Sequence, residues 1–94
     1  MTVLVNTIAK QLRLSPEDLI ERSLASYIDR EKRAVQMDIA DLQDRYGTHS
    51  SAELRSRIEE GKIYSHPAWE EAIEWEQLET YLQHLRALQE TFEW

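Results

Sequence analysis

The stretch SPEDLIERSLASYIDREKRAVQMDIADLQDRYG, Ser15 to Gly47, decides the fold. Ser15 can cap a helix, and Pro16 suits the first helical position, where its missing N–H leaves nothing unpaired. Glu17 and Asp18 favour the positive end of the helix dipole. At the other end Gly47 supplies the left-handed stop. The spacing predicts a helix over 16–46, roughly 45 Å long at about 1.5 Å per residue. On a helical plot Ile20, Leu24, Tyr27, Ile28, Ala34, Val35, Ile39, Leu42 and Tyr46 form one stripe. Leu24, Ile28, Val35, Ile39, Leu42 and Tyr46 are therefore candidates for a seam, within the chain or between two chains. Glu31 and Asp38 lie inside the stripe and reach water at its edge or pair with a base. The DREKR run, Asp29 to Arg33, points round the helix with alternating sign and reads as a solvated face.

Outward from this rod the punctuation continues. SSAE makes a second start, with Ser50 and Glu53 spaced as a capping box, and that short helix ends at Gly61. SHPAWEE makes a third, with Ser65 or His66 capping and Pro67 in the first turn. Residues 3–13 are ambiguous, since Leu4, Ile8 and Leu12 have helical spacing while TVLV is β-branched enough for a strand. Helices are expected near 4–13, 16–46, 51–60 and 67–91. The whole, 1–94, reads as one all-α domain: an N-terminal segment (1–14), then a long antiparallel hairpin with a short intervening helix. The N-terminal segment is a short helix or, in the alternative, a ribbon–helix–helix-like strand at residues 2–7. Two long apolar stripes in so short a chain also predict a homodimer.

Composition narrows the function. The chain has no Cys, so it has no disulfide framework and no thiolate chemistry, which suits a reducing cytoplasm. The start shows neither a charged leader nor a cleavage site, and the longest apolar run is three residues, too short for a bilayer. Both glycines are isolated helix stops, so no phosphate-binding loop exists. His49, His66 and His84 lack zinc spacing, and Tyr81 stands where a di-iron helix would carry Glu. Neither metal, cofactor nor catalysis is expected. The net charge is −7, unevenly spread: Lys10 and Arg13 stand without an acid in 1–14, whereas Arg86 alone faces seven acids in 65–94. Such a chain is repelled by phosphate, except at its N-terminus.

The segment HPAWEEAIEWEQLETYLQHL, His66 to Leu85, carries two tryptophans and five glutamates without a Lys or Arg. Leu78, Tyr81, Leu82, Leu85, Leu88 and Phe92 share one face, with Ala68 and Trp75 near its edge. Trp69, Ala72 and Ile73 point well away from it. The opening turns must therefore meet a different surface from the tail. That surface is either the short helix, through Leu54, Ile58, Ile63 and Tyr64, or a docked basic protein. In the second case Trp69, Glu70, Ile73, Glu74, Trp75 and Glu76 are the partner-binding residues, aromatic anchors within an acidic rim. Trp94 reads as a terminal or partner-contacting residue rather than core.

Two segments carry a resemblance. TIAKQLRLSPEDLIERSLASYI resembles the N-terminal segments of small prokaryotic ribbon–helix–helix and helix-turn-helix proteins. DRYGTHSSAELRSRIEEGKIYSHPAWEEAIEWEQLETYL is similar to the C-terminal halves of small acidic antitoxin-like proteins of prokaryotic toxin–antitoxin pairs. The resemblance implies a protein that wraps and neutralises a basic toxin, commonly a nuclease, through Trp69, Ile73, Glu74, Trp75 and Glu76. It also implies operator DNA contacts through Thr2, Leu4, Asn6, Lys10 and Arg13. A DNA-reading ribbon carries basic or amide residues at alternate positions, and TVLVN offers one Asn, so DNA binding is the alternative reading. A structural helical adaptor is another.

Overall fold

The computed structural model describes residues 2–92, with side chains from Val3 onward; Trp94 lies outside the described residues. Four helices follow one another: α1 (Thr2–Leu12), α2 (Pro16–Tyr46), α3 (Ser51–Glu59) and α4 (Ser65–Glu90). No strand occurs among the described residues. The alternative of a strand at 2–7 is thereby corrected. Leu4, Ile8 and Leu12 recur at helical spacing, and Ala9 and Val5 bury one side of α1 against α2.

The starts of α2 and α3 rest on side-chain caps. α4 differs from expectation, since neither Ser65 nor His66 caps it and Tyr64 holds the N-cap position without a side-chain hydrogen bond. The Ser15 hydroxyl accepts the Asp18 N–H at 3.0 Å, and the Ser50 hydroxyl accepts that of Glu53 at 3.1 Å. Glu53 reaches back one residue further than a capping box requires, taking the His49 N–H at 3.0 Å. Gly47 and Gly61 have φ of 63° and 76°, a region costly for any side chain with a Cβ. α4 becomes regular from Pro67, because His66 has extended backbone angles (φ −121°, ψ 125°). The end of α1 has no glycine. Arg13 takes φ 60°, Leu14 N–H reaches the Ala9 carbonyl (2.9 Å), and Arg13 N–H reaches that of Lys10 (3.2 Å). This is a Schellman stop built on an arginine.

α2 and α4 form an antiparallel hairpin. Polar contacts mark its two ends: Lys32 donates to Gln89 (2.7 Å), and Tyr46 donates to Glu71 (2.9 Å). Between them Val35 packs with Leu82 and Leu85, and Leu42 packs with Ala72 and Trp75. α3 lies against the opening turns of α4 and inserts Leu54 beside Trp75. The core is thus a two-helix seam that widens into a three-helix junction, with Ile39 and Leu78 packed against both parts. The molecule measures 60 × 24 × 19 Å with a radius of gyration of 19.2 Å, against about 12 Å for a compact chain of this length.

The buried direction of α4 does swing, as expected. Ala68, Ala72 and Trp75 face the junction, whereas Leu82 and Leu85 face α2. Ala72, expected off the stripe, packs beside Leu54 of α3, as the short-helix alternative requires, but Trp69 and Ile73 do not join it in the core. One placement differs outright: Trp75, expected among the partner-facing residues, is the largest fully buried side chain. The reason is α3: it gives the opening turns a second helix to bury against, and Ala68 and Ala72 are small enough to admit it. Trp75 Nε1 finds no hydrogen-bond partner among the described residues.

Two predictions follow from this packing. Trp75→Ala should lower unfolding free energy by roughly 3–5 kcal/mol, while Trp75→Phe should cost less than about 2 kcal/mol because its indole N–H is unpaired. Arg13→Gly should raise stability by about 0.5–1 kcal/mol by relieving the left-handed side chain, net of glycine's greater unfolded freedom. Urea unfolding of the three variants measures both; a Trp75→Ala chain as stable as its parent, or an Arg13→Gly chain less stable, contradicts them.

Candidate functional site

The acids of α4 are mostly answered within the chain. Glu71 takes Arg45 at 2.6 Å and the Tyr46 hydroxyl at 2.9 Å. Glu76 pairs with Arg55 of α3 at 2.7 Å, and Glu70 lies 3.1 Å from His66 Nδ1. Glu79 sits at the N-terminus of α3, where it accepts both the hydroxyl and the N–H of Ser51, the latter at 3.2 Å. That is where a carboxylate gains most from a helix dipole. Glu74 makes no ion pair or side-chain hydrogen bond among the described residues. It stands with Asp38, Asp41 and Glu71 around a shallow acidic cleft of about 220 Å³ between α2 and α4.

On the opposite flank the same rotation of α4 turns large apolar side chains outward. Trp69 and Ile73 are 40% and 39% exposed. The Arg55 guanidinium lies over the Trp69 ring, 5.3 Å from its centre, while also holding Glu76. Below them an open groove of about 350 Å³ runs along α4, lined by Arg55, Ile73, Glu76, Gln77, Thr80, Tyr81 and His84. Ile73 and Tyr81 supply its apolar side chains, Arg55 and Glu76 are already paired, and Thr80 spends its hydroxyl on the Glu76 carbonyl (3.1 Å). Among the described residues no three His, Cys, Asp or Glu side chains converge to hold a metal. The groove is open and large enough to receive a side chain or one face of a helix.

Of the partner-facing residues expected from sequence, Trp69, Glu70, Ile73, Glu74 and Glu76 are exposed, and Trp75 is in the core. They do not form one patch. Trp69, Ile73 and Glu76 belong to the α3 flank and Glu74 to the acidic cleft. Arg55, Gln77, Thr80 and His84 were not anticipated. Ile73, Gln77, Thr80 and His84 do recur at helical spacing opposite the seam, a signal that was readable. Arg55 arrives from another helix and carried none.

The DNA-facing candidates are spread round α1. Leu4 lies with Ile8 in an apolar groove, Asn6 and Lys10 share a different, exposed face one turn apart, and Arg13 forms the turn; the side chain of Thr2 is not described. Of the seam candidates, Val35 and Leu42 are buried by the chain's own α4. Ile28, Ile39 and Tyr46 flank that core partly buried, and Leu24 is exposed. No helix among the described residues is long and apolar enough to cross a membrane.

The chain belongs to the Uncharacterized protein MJ0235 family, whose model matches residues 1–93. Neither the curated proteins nor the solved structures give a match.

The hydroxyl contacts set a pH signature. Burial first, and then the hydrogen bond to Glu71, holds the Tyr46 phenol above its ordinary 10.0. For Tyr81 the bond to Glu31 (2.9 Å) is the leading cause of a shift in the same direction. A group that binds its proton more tightly when folded stabilises the fold fully below the unfolded value. That contribution disappears as pH climbs through the folded value. Spectrophotometric titration should therefore show Tyr46 ionising late, identified by difference against Tyr46→Phe, with Glu71→Gln moving it back down. Ionisation of Tyr46 at or below 10.0 would contradict the burial and hydrogen bond described for its hydroxyl.

Proposed function

We propose that this member of the MJ0235 family is a non-catalytic protein-interaction module that receives a basic partner on the α3–α4 flank, in the manner of an antitoxin. The observation that carries the reading is the outward Trp69–Ile73 pair beside an open groove, left uncovered by a chain that buries Trp75 close by. Aromatic anchors of this kind, with a polar rim, dominate the energetics of protein interfaces. The segment 65–94 holds one base against seven acids, a net negative field that draws a cationic surface toward this end of the molecule, with Glu70 exposed one residue from Trp69. Arg55 would exchange or share Glu76 with an incoming cation. The resemblance to antitoxin-like C-terminal halves points the same way and supplies the class of partner, a basic toxin such as a nuclease. A cysteine-free chain working in the cytoplasm accords with that role. Operator DNA has weaker support: Asn6 and Lys10 side by side on an exposed helix are all that α1 offers.

Co-expression with the product of the adjacent gene tests the reading. The expected result is a toxic neighbour that is neutralised and retained by this chain. Trp69→Ala and Ile73→Ala should each weaken retention roughly 10- to 100-fold with helical content unchanged. A neighbour that is neither toxic nor retained, or one bound equally by both variants, overturns it.

A further inference from the structure

We infer that the α1–α2 end of the rod is a self-association surface, on which a second copy of this chain closes a four-helix bundle. The end is left open by the hairpin itself. α4 pairs with α2 only as far back as Lys32 and Ile28, so the first turns of α2 have α1 alone beside them. Between α1 and α2 runs a groove of about 340 Å³ lined by Leu4, Val5, Ile8, Leu19, Ile20 and Leu24, with Ser23 its single polar member. In a chain that is 31% charged, a groove with no charged lining has the make-up of an interface core.

Area identifies the occupant. Leu4, Ile8, Leu12, Ile20, Leu24 and Tyr27 are each between 41% and 59% exposed. At roughly 200 Å² for a fully open large residue, they leave on the order of 600 Å² uncovered, most of it apolar. That is the upper end of what a monomer ordinarily exposes, about 300–600 Å². It also matches the apolar share, about 65%, of the roughly 800 Å² that each partner buries in a standard interface, the share being that of a homodimer. Two α1–α2 pairs related by a twofold axis would present the same stripe to each other, which is the self-complementarity an isologous contact needs.

Charge selects this end over the rest of the surface. Each copy carries −7, so contact between acidic faces is opposed. Across the two helix segments that build it, residues 1–24, Lys10, Arg13 and Arg22 balance Glu17, Asp18 and Glu21, so two copies meet there without net repulsion. Five of the seven acids of 65–94 lie at 70–79, beside the Leu42 end of α2. That is about 27 Å along the helix from Leu24, well beyond the screening length of about 10 Å. The surface is remote from the Trp69 groove, so the inference does not rest on the function proposed above.

Sedimentation equilibrium of the full chain at micromolar concentration tests it. The expected mass is twice the 11.1 kDa of one chain. Leu24→Glu and Ile8→Glu, both at exposed positions, should give monomers of undiminished helicity, with self-affinity lowered by roughly 100-fold or more. Should either charge disturb folding, Leu4→Ala and Ile20→Ala serve instead, with losses of about 10-fold each. Tyr64→Glu, at the opposite end, should leave the dimer intact. A parent chain that stays monomeric, one that dimerises unaffected by Leu24→Glu, or a groove filled only by a different protein overturns the proposal.

Discussion

The packing of Trp75 against Leu42 and Leu54 governs the rest of this molecule. Once the indole is inside the three-helix junction, the rotation of α4 about its own axis has no freedom left. Every other side chain of its opening turns is then assigned a direction. Ala68 and Ala72 must lie inward beside it, and being small they let α3 approach. Glu71 is turned toward Arg45 and Tyr46, Glu76 toward Arg55, and Glu79 toward the first turn of α3. Trp69 and Ile73 are left outside. One buried ring thus decides both how three helices are joined and which apolar groups remain available to another molecule.

The crowding of glutamates on α4 is explained largely from within. Their counter-charges are spread over α2 and α3, invisible to a reading of α4 alone but brought opposite by the hairpin. Such partly exposed pairs individually contribute little, on the order of 0–1 kcal/mol. What they do is fix register, because a one-turn slip would strand Glu71 from Arg45 and Glu79 from Ser51 together. The surface beyond these pairs divides into a mixed groove beside Trp69 and Ile73 on one flank, an acidic cleft on the other, and an uncharged groove at the far end of the rod. The long, thin shape keeps the α1–α2 groove far along the rod from the other two, which lie on opposite flanks of α4.

Much of this was legible in the residues. Ser15, Pro16, Gly47, Ser50, Gly61 and Pro67 punctuate the chain where caps and stops were read, because capping is a local interaction that a few neighbours determine. The antiparallel hairpin followed from two long rods joined by a short helix. Residues 2–7 were not decided by sequence, since β-branched residues at helical spacing satisfy both periods until a partner surface is specified. Arg13 gave no sign of its left-handed turn, for that conformation is imposed by Leu14 folding back onto Ala9. The candidate site was half legible. That α4 changes its buried direction could be plotted, and Trp69 and Ile73 were found that way. Which tryptophan goes inside depended on α3 docking beside Ala72, a tertiary event that no helical plot contains.

The placement of Trp75 is open to direct optical measurement. In a chain whose other tryptophans are replaced (Trp69→Phe with Trp94→Phe), the remaining indole reports only that site. The account predicts blue-shifted emission, almost immune to acrylamide quenching, that moves to the red only when the helices unfold. Red-shifted, freely quenched emission from the folded chain would put Trp75 on the surface and remove the joint on which this description stands.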